Sequence, residues 1–327
     1  CDVFDTVRET GDHGSFNSWG RDRFWHLIDA PEDELAELSK LDILDPTVIR
    51  NSRWRCDHGW DIDLDDGSSD YEIYNNLMLN RGLKLREGFR RKVHNNIAVN
   101  NTLHPHVWYP SCGDVVTGNI WMTAYKPAVM RTPEQFRCEV DRNMFLSEAD
   151  KAAFADKGWD RNSIVGDPMF VDPEKGDFRV GEDSPFLKFG FKNFPMDRFG
   201  VQKPELKAIA RLPDFPQPRI PKSIPPATAA RSGTATWMGA TVKALAGEEF
   251  SAFGVSEEDG GIHLVAVAAK SKAAAAGLKE GDVIQKMNGN PTRTVADLER
   301  VTGSSRGKPR TVTFVRGQRE MSLQLPK

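Results

Sequence analysis

Between residues 60 and 88 the chain reads WDIDLDDGSSDYEIYNNLMLNRGLKLREG, and most of the side chains that could do chemistry lie there. Asp61, Asp63, Asp65 and Asp66 fall in one short run, Lys84, Arg86 and Glu87 in another. Each run alternates with apolar residues, Ile62 and Leu64 in the first, Leu83 and Leu85 in the second. A period of two marks strands with one face in a core and the other free to carry charge. Both runs end at a glycine, Gly67 and Gly88. Superposing the glycines puts Leu83 over Ile62, Lys84 over Asp63, Leu85 over Leu64, Arg86 over Asp65 and Glu87 over Asp66. Parallel strands stack about 4.8 Å apart, so this register holds Glu87 about 5 Å from Asp65 or Asp66. Two carboxylates at about 5–5.5 Å suit a retaining glycosidase, one attacking the sugar and the other carrying the leaving group's proton. Lys84 and Arg86 would keep Asp65 or Asp66 ionised, while repulsion from the aspartates would favour a proton on Glu87.

Such a register needs a parallel solenoid, whose repeats run about 20–50 residues. Asparagine recurs beside short apolar runs at Asn51, Asn75–Asn76, Asn95–Asn96, Asn119 and Asn143. A solenoid corner puts one residue per coil in a left-handed conformation, which Asn tolerates. Stacked Asn side chains can also hydrogen-bond along the stack. The reading is a mainly β chain: a right-handed parallel β-helix over 1–200, lacking its N-terminal coils, with residues 147–200 closing it. Residues 31–40 predict a short helix capped by Asp29, and the segment 11–25 a polar, aromatic loop holding His13, Trp19, Arg21 and Asp22. Residues 201–233 carry seven prolines and read as a linker. A smaller α+β unit fills 234–327. Four cysteines are too widely spaced for a zinc template and read as free thiols.

Two resemblances sharpen this. The strings GDHGSFNSWGRD (11–22), RWRCDHGWDIDLDDGSS (53–69), LKLREGF (83–89) and LHPHVWY (103–109) resemble the β-helical β-xylosidase and fucosidase/xylanase families, of the pectate-lyase-like fold. That resemblance implies a glycoside hydrolase of plant or microbial polysaccharide, secreted or periplasmic, without cofactor. It implies Asp65 or Asp66 as nucleophile and Glu87 as acid/base, with His13, Trp19, Arg21, His58, Asp63, Lys84, Arg86, His104, His106 and Trp108 contacting sugar. The string AAAAGLKEGDVIQKMNG (273–289) resembles the PDZ domain of bacterial HtrA-like proteases. It implies a loop at Trp237, Met238, Gly239 and Ala240 that holds a peptide's C-terminal carboxylate, beside a helix from Thr294 to Val301.

Composition narrows the field. Net charge is −3, without the basic run that tracks phosphates, so nucleic acid is not an expected partner. No apolar stretch approaches the roughly 20 residues of a membrane span. A protease is disfavoured because no GxSxG motif accompanies the HtrA-like unit. Two other readings stand. One is a polysaccharide lyase in which Asp61, Asp63, Asp65 and Asp66 hold Ca²⁺ and Lys84 or Arg86 is the base. The other is a non-catalytic glycan-binding or scaffold module.

Overall fold

The computed structural model describes residues 1–27, 30–130, 137–221, 234–304 and 310–325. The chain divides into two units, Cys1–Ala227 and Thr228–Lys327. The expected cap Asp29 lies outside the described residues, as do 222–233 of the proline-rich stretch.

The first unit is a parallel β-solenoid of three sheets. One sheet stacks Thr47–Arg50, Tyr71–Tyr74, Lys92–His94, Val115–Thr117 and Glu139–Asp141. The chain then turns into a second sheet of seven strands, from Asp2–Thr6 and Arg53–Cys56 through the two-residue strands Leu77–Met78, Ile97–Ala98 and Ile120–Trp121 to Met144–Phe145 and Ile164–Val165. It finally enters a third sheet, Gly14–Trp19, Trp60–Asp65, Leu83–Leu85 and Leu103–Pro105. Ile62, Leu64, Leu83 and Leu85 point into the solenoid core with Met78, Trp121 and Phe145.

Asparagine builds one corner through two adjacent columns. Asn51, Asn75 and Asn95 hold the left-handed position at φ +51°, +53° and +54°, and Gly118 and Arg142 continue it. The next residue in each coil is a buried ladder. Asn76 Nδ2 donates to Asn96 Oδ1 at 3.1 Å, Asn96 to Asn119 at 2.9 Å, and Asn119 to Asn143 at 3.1 Å. Each amide also donates to backbone carbonyls, so the buried polar groups are satisfied.

Residues 147–200 do more than end the stack. The outward residues of the seven-stranded sheet, Leu77, Ile97, Ile120 and Met144, are covered by Phe178, Val180, Phe186, Phe191 and Phe194. The segment expected to cap the last coil thus folds back along the wall. Helix Glu148–Ala152 starts at Ser147, whose Oγ accepts from Asp150 N–H at 3.1 Å. The described proline-rich residues follow the same wall. Asn100 Nδ2 donates to the Gln217 carbonyl at 2.8 Å, and Arg219 N–H donates back to Asn100 Oδ1 at 2.7 Å. Cys56 and Cys112 are buried thiols, Cys138 is half-buried and Cys1 exposed; all four are free.

The second unit is an antiparallel sheet with helices Glu249–Phe253, Lys272–Ala275 and Val295–Ser304. The last begins with a reciprocal cap, Thr294 Oγ1 accepting from Asp297 N–H at 3.1 Å and Asp297 Oδ2 from Thr294 N–H at 3.1 Å. Among the described residues no helix is long and apolar enough to cross a membrane.

Candidate active site on the third sheet

The outward face of the third sheet carries two columns of polar side chains, one rung per coil. Asn17, Asp63, Lys84 and His104 are in register across four strands. Beside them run Trp19 and Asp65, paired in register, then Arg86 and His106, whose N–H groups donate to the Leu64 and Leu85 carbonyls. The register expected for Ile62, Asp63 and Leu64 against Leu83, Lys84 and Leu85 is the observed one.

Past the strand end the chain bends. Asp66 and Gly67 take φ +28° and +72°, and Arg21 on the preceding coil takes φ +43°. Strained non-glycine backbone is a mark of functional sites, and here it lies beside the acids. The bend lets Arg86 gather three carboxylates. Its Nε lies 2.7 Å from Glu87 Oε2, and its Nη1 lies 3.0 Å from Asp66 Oδ1 and 3.4 Å from Asp65 Oδ1. Burial opposes the guanidinium's charge, but Glu87, Asp65 and Asp66 outweigh it. The geometry alters one expectation: a cation, not bare repulsion, stands among Glu87 and the aspartates. Glu87 Oε1 also accepts from Trp25 Nε1 at 2.7 Å. Gly88 is required by close approach, since a Cβ there would meet the Ser68 carbonyl oxygen at 2.4 Å.

The end of strand Gly14–Trp19 and the turn after it roof this group, so the segment expected to be a loop over 11–25 is in part a strand of the third sheet. Trp19 Nε1 donates to Asp66 Oδ2 at 2.6 Å, and Arg21 Nε lies 3.3 Å from the same oxygen. The Arg21 guanidinium stacks 4.1 Å from the Trp19 ring and 4.6 Å from Trp25. Trp19 is 59% exposed, so a broad aromatic face rims the acids. Asp22 accepts from Ser69 N–H at 3.1 Å, and burial pushes its carboxyl up to about 6.

In the first column Lys84 Nζ sits 3.2 Å from Asp63 Oδ1, 3.1 Å from Asp65 Oδ1 and 4.1 Å over the Trp60 ring. Burial pulls the ammonium down, but Asp63, Asp65 and Asp12 outweigh it and hold it above its ordinary range. Burial likewise pushes Asp65 up, yet Lys84 and Arg86 hold it below the usual carboxylate range. Burial pushes Asp63 up to about 8, with Lys84 opposing. Two carboxyls on one strand are thereby driven in opposite directions.

His104 completes the column as a fixed tautomer. Trp60 Nε1 can only donate, and it lies 3.3 Å from His104 Nδ1. His104 Nε2 therefore carries the proton toward Asn101 Oδ1, 2.8 Å away. His106 stands at the end of the second column, its ring 5.8 Å from that of Trp60. Other expected residues lie elsewhere. His13 is exposed and bonds Thr10 Oγ1 at 3.0 Å, and His58 is exposed in the turn before its strand. Trp108 is not on the cleft wall: it is fully buried in the core, donating to the Leu85 carbonyl at 2.8 Å. Val107 at φ +53° breaks the alternation that would have turned it outward. Asp61 is not a solvated rung. It is buried, accepting from the N–H groups of Cys56, Asn80, Arg81 and Gly82 at 2.7, 3.0, 2.8 and 3.0 Å. The residues missed from sequence are Asn17, Trp25, Trp60 and Asn101. Only the solenoid register, extended one coil each way, could have flagged Asn17.

A calcium ion does not fit this donor set. Asp61 is consumed by backbone N–H groups, and the other three acids by Lys84, Arg86, Arg21 and Trp19. A cavity of about 700 Å³ lies away from the cluster, lined by Arg53, Lys175, Arg179 and residues 193–197. Its cations are already paired, with Asp2, Asp172 and Asp177 respectively.

Comparison with known proteins bears on the second unit. A PDZ domain family profile matches residues 263–316, and this unit is a PDZ domain. The HtrA3 PDZ domain bound to the phage-derived ligand FGRWV is similar at 21% identity and TM-score 0.23, covering 28% of this chain and 86% of that one. The HtrA-type protease AlgW with decapeptide is similar at 26% identity and TM-score 0.24, covering 28% of each chain. No curated protein matches the chain.

Proposed function

We propose that the solenoid is a retaining glycoside hydrolase of plant or microbial polysaccharide or oligosaccharide, acting outside the cytoplasm, and that the PDZ domain binds a peptide. The observation that carries the first part is the gathering of Asp65, Asp66 and Glu87 from adjacent coils around Arg86, under the exposed Trp19 ring. Asp65 is the favoured nucleophile, because two cations keep it ionised and its side chain is the most exposed of the three acids, at 14%. Glu87 is the acid/base, and a sugar hydroxyl or leaving oxygen would replace Arg86 or Trp25 as its partner. Trp19 offers a face on which a pyranose ring can stack. The saturated acid cluster speaks against the calcium-dependent lyase. That same saturation of Glu87 favours one second reading, a glycan-binding module without turnover.

A panel of aryl xylosides, fucosides, galactosides and arabinosides separates these. Hydrolysis with retained anomeric configuration, lost by about 10²-fold or more in Glu87→Gln and Asp65→Asn, is the expected result. Wild-type turnover by Glu87→Ala would remove the proposed acid/base. Saturable glycan binding that persists in Glu87→Gln, with no turnover in the parent protein, would establish the module instead.

A further inference from the structure

A peptide docks on a PDZ domain by adding as a strand to an open sheet edge. Here the edge belongs to strand Ala240–Ala244, which pairs with Ile262–Val267 on one side and packs against helix Val295–Ser304. Its other side is already filled. Ala235, Thr236 and Trp237 pair antiparallel with Val242, Thr241 and Ala240. Met238 and Gly239 join the two strands at φ +50° and +79°, and positive φ at both central residues is the type I′ hairpin turn. The turn is held from outside. Ala273 N–H donates to the Met238 carbonyl at 3.0 Å, and Ser271 Cβ lies 2.8 Å from where a Cβ on Gly239 would stand. The loop expected to receive a carboxylate is therefore the tip of a closed hairpin.

The Trp237 side chain fills the space beside the helix. It is 5% exposed and packs in one cluster with Leu298 and Val301. Its Nε1 donates to Thr302 Oγ1 at 3.0 Å. Backbone edge and side-chain pocket are thus both taken by one segment of the same chain.

We propose that residues 235–237 are the resident ligand of the PDZ groove, and that an external peptide must displace this hairpin to bind. The inference rests on the reading of the domain as peptide-binding. The occupant also indicates the partner: a peptide with a free C-terminal carboxylate and a large aromatic last residue, because the pocket holds an indole and offers its N–H an acceptor. Apparent affinity is then the intrinsic affinity reduced by the fraction of molecules in the open state.

The test uses the full chain and fluorescein-labelled hexapeptides with a free C-terminus, ending in Trp, Phe, Val or Ala, titrated by fluorescence anisotropy. Ala235→Pro removes a backbone N–H from the outer strand and leaves Trp237 unchanged. Thr302→Val, nearly equal in size, removes the indole's acceptor and provides a second variant. Exchange of the Trp237 indole N–H with solvent reports directly whether the hairpin has been released. The expected result is faster indole exchange and at least about tenfold tighter binding in both variants, with the Trp-ended peptide bound best. Equal affinity in parent and variants, with the indole released, would overturn the self-occupied groove and leave peptide binding standing. Absence of saturable binding in every form, again with the indole released, would overturn the peptide-binding reading itself.

Discussion

Lys84 stands one rung from Asp63 in the parallel ladder, with Nζ 3.2 Å from Asp63 Oδ1 and both side chains shut away from solvent. Lys84 is the only ammonium this close to Asp63 among the described ion pairs, and it serves Asp65 as well. Removing it by Lys84→Met leaves Asp65 without one of its two cations and Asp63 without its buried donor. Truncating one partner of a buried pair costs about 3–5 kcal/mol, and urea denaturation of the first unit is expected to show a loss of that order. Lys84→Met combined with Asp63→Asn is expected to recover part of it.

Asp63 also sets a pH dependence. Its carboxyl is raised from 3.8 to about 8 in the folded chain. The stability this contributes is fully present below about pH 4 and fades as the pH climbs to about 8, because the folded state must give up a proton it holds more tightly than the unfolded chain does. Asp63→Asn keeps the neutral shape and removes the titration. Denaturation midpoints measured from pH 4 to 8 are expected to fall less steeply in Asp63→Asn than in the parent.

Arg86 is the shared counterion of Asp65, Asp66 and Glu87. A lysine carries the charge but not the planar fork that reaches three acids at once. Arg86→Lys is expected to cost at least about 2 kcal/mol and to abolish the proposed aryl glycosidase activity. Unchanged stability and turnover would show that the three carboxylates do not depend on one guanidinium.

Gly88 touches the backbone of the preceding coil, and a methyl group there would sit 2.4 Å from the Ser68 carbonyl oxygen. Relief requires the two coils to part beside Glu87. Gly88→Ala is expected to lower stability by about 1–3 kcal/mol, and to lower the proposed glycosidase turnover more than glycan affinity.

The corner ladder gives a purely structural control. Asn119→Ala leaves buried partners on Asn96 and Asn143 unmatched, at a cost of about 1–3 kcal/mol. Glycan binding and the pKa-linked behaviour of Asp63 are expected to be unchanged, because the ladder lies at a different corner.

The chain's sequence by itself determined the stacking direction, the register of Asp63 under Lys84, and the corner Asn residues, because a solenoid repeats the same local geometry each coil and repeats are visible in one dimension. The PDZ domain was legible for a related reason: its most specific string covers a continuous helix, turn and strand. Tertiary structure alone decided what happens where the repeat breaks. A left-handed Val107 turns Trp108 into the core, and the bend at Asp66 swings three acids onto Arg86. Trp25 reaches Glu87 across 62 residues and Trp19 reaches Asp66 across 47. Such contacts leave no periodic trace, since they depend on where a loop from one coil settles over the next. The closed hairpin at Trp237 was hidden for the same physical reason: pairing partners a few residues apart can be guessed, but whether they fill an edge that a ligand needs is decided only by the sheet and helix packed around them.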